Sequence, residues 1–207
     1  MDYTNVIDNF LNYGAFISHT AYNNNNNIDV FYNAMKQGGC EKWFQFGLVG
    51  YLKSFPYYNA MCEFQIGSKQ LQTYQQVDIG IIYPNNCYDL IELKIYVCNH
   101  SSINNESFCK SIEGDIKKLN SIKENNPPFK INRLISLSVV VSFNGQSTIL
   151  DNFHLDPTAN PFANSLTKKY IQMQKHFTSG VIYFEVMSNE LECFLPPTTA
   201  TNLGGIL

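Results

Sequence analysis

The sequence is short of charge and almost without arginine. Only 15% of its 207 residues are Asp, Glu, Lys or Arg, well under the usual quarter, and Arg133 is the only arginine among 14 basic residues. Arginine is the commonest bidentate reader of guanine, so sequence-specific base readout is not expected. Fourteen basic against 17 acidic residues give a formal charge of −3, which leaves no broad basic field to coat nucleic acid. No run of 18 apolar residues exists, so no transmembrane helix is expected. Met1-Asp2-Tyr3-Thr4 is not basic and opens no long apolar run, so no signal peptide is expected either. The six cysteines include no CxxC pair and no Cys–His group of finger-like spacing. That pattern points to free thiols in a reducing cytoplasm. GxxxxGK[ST], GxGxxG and GxSxG are all missing, so P-loop, Rossmann and hydrolase-elbow chemistries lack support.

What is present is a patterned hydrophobic chain, 44% apolar. Residues 5–17 read as a helix, with Val6, Phe10 and Ile17 on one face. After the Asn23–Asn27 run, Ile28–Met35 reads as a short second helix closed by Gly38-Gly39. Glu41–Ser54 follows, with Phe44, Leu48, Tyr51 and Leu52 in a helical stripe that Pro56 ends. Strands are expected at Ala60–Gly67, Tyr74–Tyr83 and Tyr88–Cys98. The last two form a hairpin across the turn signal Pro84-Asn85-Asn86. Ser107–Lys123 repeats Phe108, Ile112, Ile116 and Leu119 at helical spacing. Arg133–Phe143 is almost continuously apolar, the mark of a central strand buried on both faces. Residues 162–177 read as a weak helix, Gly180–Met187 as another buried strand, and the tail from Pro196 as a loop. This order predicts an α/β fold, a three-layer α/β/α sandwich around a central mixed sheet.

The stretch that bears chemistry runs from Asp78 to Lys94. Asp78 lies between Val77 and Ile79, where a carboxylate is expensive unless paired or holding a metal. Glu92 and Lys94 alternate onto one strand face and Leu93 onto the other. If the two strands pair, Asp78 comes close to Glu92, and two carboxylates meet an ammonium. Asp78 and Glu92 are hard oxygen donors suited to Mg²⁺ or Mn²⁺, and the Leu93 carbonyl could add another oxygen. Such an ion polarises a phosphate oxygen and lowers the pKa of a bound water. Lys94 would position that water or stabilise charge building on the phosphate.

These residues resemble the PD-(D/E)xK nuclease superfamily, the restriction-endonuclease-like fold with a core of order αβββαβ. Glu41 opens the helix, Asp78 and Glu92-Leu93-Lys94 follow, then a helix carrying Gly114-Asp115-Ile116-Lys117-Lys118-Leu119, then the buried strand. Val77 stands where the eponymous proline would be. The resemblance divides a single domain, 1–207, into an N-terminal helical extension (1–37), a nuclease-like core (38–145), a C-terminal helix and strand (146–195) and a tail (196–207). It implies a Mg²⁺-dependent deoxyribonuclease with Asp78 and Glu92 as metal ligands, Glu41 assisting through a water, and Lys94 as the catalytic lysine. Nucleic acid is then the partner, DNA ahead of RNA, with no membrane. The low basicity leaves room for a homodimer or for a partner protein that delivers substrate. Lys110, Lys117 and Lys118 could touch flanking phosphates or form a solvated helix face, and Tyr96 could line the groove or cover the sheet. Glu63 rivals Glu41 as a third acidic position, and Asp89 reads as a turn residue. Bland readings stand beside these: an exposed Glu92–Lys94 ion pair, and Glu41 as a first-turn carboxylate favoured by the helix dipole. The alternative function is a catalytically inactive module of the same fold that binds a protein.

Overall fold

A computed structural model of the chain describes residues 1–23, 40–56, 58–67, 74–98, 105–124, 127, 129–158, 160, 163–177 and 180–193. The predicted helix Ile28–Met35 and the tail from Pro196 lie outside these residues. Among the described residues two helices come first, α1 (Tyr3–Asn23) and α2 (Cys40–Lys53). Strands β1 (Asn59–Gly67), β2 (Tyr74–Ile82) and β3 (Cys87–Cys98) follow, then α3 (Asn105–Glu124) and β4 (Lys130–Ser142). Strands β5 (Thr167–Phe177) and β6 (Gly180–Glu192) close the order.

The six strands form one mixed sheet in the order β1-β2-β3-β4-β6-β5. Its spine is β4, parallel to β3 on one side and antiparallel to β6 on the other. That central place explains its near-continuous apolar sequence. Successive side chains alternate, so Ile135, Leu137, Val139 and Val141 enter the core beneath α1 and α2. Leu134 and Val140 face the opposite layer, against Leu119, Ile122, Ile112 and Ile116 of α3. Helices thus lie on both faces of a mixed sheet, an α/β sandwich. Among the described residues no helix is long and apolar enough to cross a membrane, and all six cysteines are free thiols.

The segment read as a weak helix, 162–177, is instead a strand. A three-residue 3₁₀ turn, Ala163–Ser165, leads into β5. The period is two. Ile171, Met173 and Phe177 turn to the core, while Lys168, Gln172, Gln174 and His176 are exposed. Residues 146–195 therefore contribute two antiparallel strands rather than a helix and a strand. Lysines on β5 also tie it down. Lys175 donates to Asp8 and, at 2.7 Å, to Asn12 of α1.

A second departure concerns β1 and β2. Ala60 and Cys62 belong to the core under α1 and α2, but Phe64 and Ile66 belong to the cluster under α3. In β2, Ile79 and Ile81 belong to the first and Val77 to the second. Both strands change face at one level, Glu63/Asp78, where their pairing skips a pair between Cys62↔Ile79 and Phe64↔Val77. Glu63 there has φ 51°, uncommon for a residue with a side chain. The ribbon turns over at this level. Just beyond it, Gly80 must remain glycine, because a Cβ would lie 2.5 Å from Phe64 Cγ.

Asp89 is no turn residue. It is fully buried and collects donors from four positions. Tyr3 OH, Tyr83 OH (2.6 Å) and Arg133 Nη2 (2.7 Å) donate to Oδ2, and Asn132 Nδ2 (2.7 Å) donates to Oδ1. Arg133 Nη1 donates to the Met1 carbonyl at 2.6 Å and reaches Glu190 at 3.4 Å. Burial and the Asp89 carboxylate push the Tyr83 phenol up to about 12 and Tyr3 well above its ordinary value, so both stay protonated donors. Arg133→Met leaves Asp89 buried without its cation, a loss that typically costs ~3–5 kcal/mol. Urea unfolding should show a loss of unfolding free energy of that size, read as a lower midpoint at unchanged m-value. A change under 1 kcal/mol would mean the phenols alone can hold the carboxylate.

Candidate active site

The turned-over ribbon opens a fork in the sheet. The β2–β3 ladder runs from Ile82↔Tyr88 to Ile79↔Ile91 and stops there. Beyond it, backbone N–H groups of β3 are taken by carboxylates. Asp78 Oδ2 accepts from Leu93 N–H at 2.8 Å, and Glu41 Oε2 accepts from Ile95 N–H at 3.4 Å. Glu41 reaches that point from the first turn of α2. One turn later the buried Gln45 donates its amide to the carbonyl of Asp78 and fixes the backbone at the turnover.

Glu92 and Lys94 rise from β3 on the α3 side, as the alternation requires. They are not a mutual ion pair. Glu92 Oε1 lies 2.6 Å from Lys118 Nζ, and Lys94 Nζ lies 3.6 Å from Asp115 Oδ2. Asp115 and Lys118 are three residues apart on α3, hence on one helix face. The pairing is crossed: the helix offers a base to the strand's acid and an acid to the strand's base. Glu92 Oε1 and Asp115 Oδ2 are buried and lack a hydrogen bond of good geometry, so these contacts are ion pairs.

Electrostatics couples the members of the group to one another. Burial pushes Glu92 up to about 7, a rise that Lys118 opposes and Asp78 and Asp115 reinforce. Burial pushes Asp115 up to about 6 against the pull of Lys94. Burial works to lower the Lys94 ammonium, but Asp115, Glu41, Asp78 and Glu92 outweigh it and hold it above the ordinary lysine value. Glu41, Asp78, Glu92 and Lys94 are thus brought within electrostatic reach of one another, with Asp115 and Lys118 added.

The remaining candidates lie apart. Glu63 is tied to Lys42 at 2.6 Å near the surface, so it is not the third carboxylate beside Glu92. Lys110 pairs with Glu106 at 2.6 Å, its side chain 70% exposed, and Lys117 is exposed. Tyr96 stacks on Phe108 with ring centroids 5.0 Å apart, covering α3's packing surface. Sequence reasoning assigned no site role to Gln45, Asp115 or the Ser136/Ser138 pair. In β4, Ser136 and Ser138 sit opposite Glu92 and Lys94, and their hydroxyls are buried without a hydrogen-bond partner. Two serines two apart in an apolar strand, in phase with Glu92 and Lys94, were the available signal. For Asp115 and Lys118 it was an acid and a base at i and i+3 on an amphipathic helix.

The donors suit a hard divalent cation in kind, being carboxylate oxygens, of which the buried Glu92 Oε1 faces the Lys118 ammonium at 2.6 Å. In number they are few: among the described residues no group of three or more His, Cys, Asp or Glu is arranged to hold a metal ion. Compared with known proteins, the chain matches no family model, no curated protein and no solved structure.

Glu92 supplies a test independent of any ligand. Its carboxyl rises from 4.5 to about 7 on folding, so the folded state holds this proton more tightly than the unfolded chain. The cost to stability is absent below about pH 4.5, grows as pH climbs toward 7 and is full above it. Such a shift corresponds to roughly 3 kcal/mol. Glu92→Gln should therefore raise the unfolding free energy at pH 8 in EDTA by about that amount. The gain should vanish at pH 4, and an equal gain at both pH values would refute the buried-carboxylate account.

Proposed function

We propose that the chain is a metal-dependent nuclease of the PD-(D/E)xK type that hydrolyses phosphodiester bonds in DNA. The observation that carries this reading is the convergence of Asp78, Glu92 and Lys94 in the fork between β2 and β3, with Glu41 arriving from α2. The order α2-β1-β2-β3-α3-β4 supports it, since it follows the αβββαβ core of that superfamily. Asp78 and Glu92 would hold Mg²⁺ or Mn²⁺, with the Leu93 carbonyl and a Glu41-bound water completing the set. The ion would polarise the phosphate and acidify a bound water.

The chain's own residues do the rest. Leu93 N–H fixes the Asp78 carboxylate, so that little reorganisation accompanies reaction. Lys94, held charged by its acidic neighbours, would place the attacking water or steady charge on the phosphate. Arg133 takes no part in recognition, because it is buried in the Asp89 network. Contact with DNA then falls to a small number of lysines. A homodimer or a partner protein that delivers substrate would enlarge that surface.

A second reading has one observation in its favour. The Glu92–Lys118 and Lys94–Asp115 pairs already compensate the two motif side chains. In that case the fold serves as an inactive module that binds a protein.

Cleavage of supercoiled plasmid, linear duplex, single-stranded DNA and RNA, in Mg²⁺, Mn²⁺ and EDTA, separates the two. The expected result is metal-dependent cutting that falls at least ~100-fold in Lys94→Ala, the scale of losing one transition-state donor. Absence of cutting on every substrate, with no metal-induced rise in melting midpoint, selects the inactive module. Cutting that survives Lys94→Ala places the chemistry elsewhere.

A further inference from the structure

Lys118 sits differently from the other lysines of α3. Lys117 and Lys123 are exposed and Lys110 is held by Glu106, whereas Lys118 reaches back to the sheet. Its pair with Glu92 is lopsided. The Glu92 side chain is 4% exposed and rises from a strand in the middle of the sheet, whereas the Lys118 side chain is 40% exposed. The carboxylate cannot leave, but the ammonium can, because its four-carbon stem lets the head swing into solvent. The surroundings add a reason to move. Glu41, Asp78, Glu92 and Asp115 outnumber Lys94 and Lys118, so the site as it stands repels a phosphodiester. A divalent cation at Glu92 reverses that balance and places positive charge against the Lys118 head.

We propose that the Lys118 ammonium and a divalent cation compete for the Glu92 carboxylate, and that Lys118, once displaced, binds a phosphate of the substrate strand at the mouth of the site. Lys118 is then the second lysine of the site and the link between its metal-binding and DNA-binding steps. It moves within one side-chain length while α3 stays packed through Ile116 and Leu119. This inference rests on the nuclease reading.

The two roles pull in opposite directions, and that makes them measurable on the full chain. Lys118→Met keeps the stem and removes the charge. Lys118→Gln also leaves Glu92 a hydrogen-bond donor, which guards against loss of fold. Mn²⁺ affinity is measured by calorimetry, and duplex affinity in Ca²⁺ across a salt series. Both variants should bind Mn²⁺ about tenfold more tightly, the size of one unit of interaction between charged groups. Both should bind duplex several-fold more weakly, with the slope of log K against log salt reduced by about one. Lys123→Met, exposed on the same helix, should leave Mn²⁺ binding unchanged. A purely structural role for Lys118 would weaken both kinds of binding. That result, or a change in only one of the two affinities, overturns the proposal. An unmodified protein that binds neither Mn²⁺ nor duplex overturns the nuclease reading itself, and this inference with it.

Discussion

The fold hangs on one buried ion pair, Arg133 with Asp89. Asp89 stands near the start of β3 and Arg133 near the start of β4, at the parallel crossover around which the sheet is organised. Tyr3 brings α1 to the same carboxylate, Tyr83 brings the end of β2, and Glu190 brings β6 to the guanidinium. Two charges out of water are costly unless every lone pair and proton finds a partner. Here the partners come from elements far apart in sequence, so the network forms only when the whole topology is right. That is a device for specificity more than for strength. It also explains a compositional oddity. The chain has one arginine, and it lies in the interior, where a rigid five-donor fork is useful.

From this anchored end β3 stays in register with β4 as far as Cys98 while β1 and β2 turn over beside it. At Glu63/Asp78 the ribbon passes from one layer of the core to the other, and the sheet splits. A split sheet exposes backbone donors that must be satisfied, and the carboxylates of Asp78 and Glu41 answer them. The acidic cluster is therefore tied to the backbone plan of the fold. The serines of β4 and the crossed pairs from α3 complete a polar patch beneath the otherwise apolar buried face of that helix.

Much of this was legible in the sequence, and the failures have physical reasons. Glu92 and Lys94 could be placed on one face because alternation holds through β3, and Asp78 near them because a hairpin turn lay between the two strands. The central strand could be recognised because a run buried on both faces has no polar phase. Residues 162–177 misled because Lys168, Lys169 and Lys175 sit among apolar residues, and the period of two is blurred where one face is wet and the other only half covered. Asp89 misled because its donors come from residues 3, 83, 132 and 133, a convergence no local pattern encodes. The same holds for Lys118: a helix-face lysine looks alike whether it meets water or a buried carboxylate. Gln45 gave no signal at all, since its partner is a backbone carbonyl.

The amides of Leu93 and Ile95 carry a consequence for how the site can be dissected. They are closed by side chains instead of by a neighbouring strand. Local order at this end of β3 is thus written in the same groups as the proposed chemistry. Neutralising Asp78 or Glu41 frays a strand edge at the same moment that it removes a proposed metal ligand, and the two effects arrive as one number. Lys94 and Lys118 hold no backbone amide, so their substitution separates architecture from the proposed chemistry.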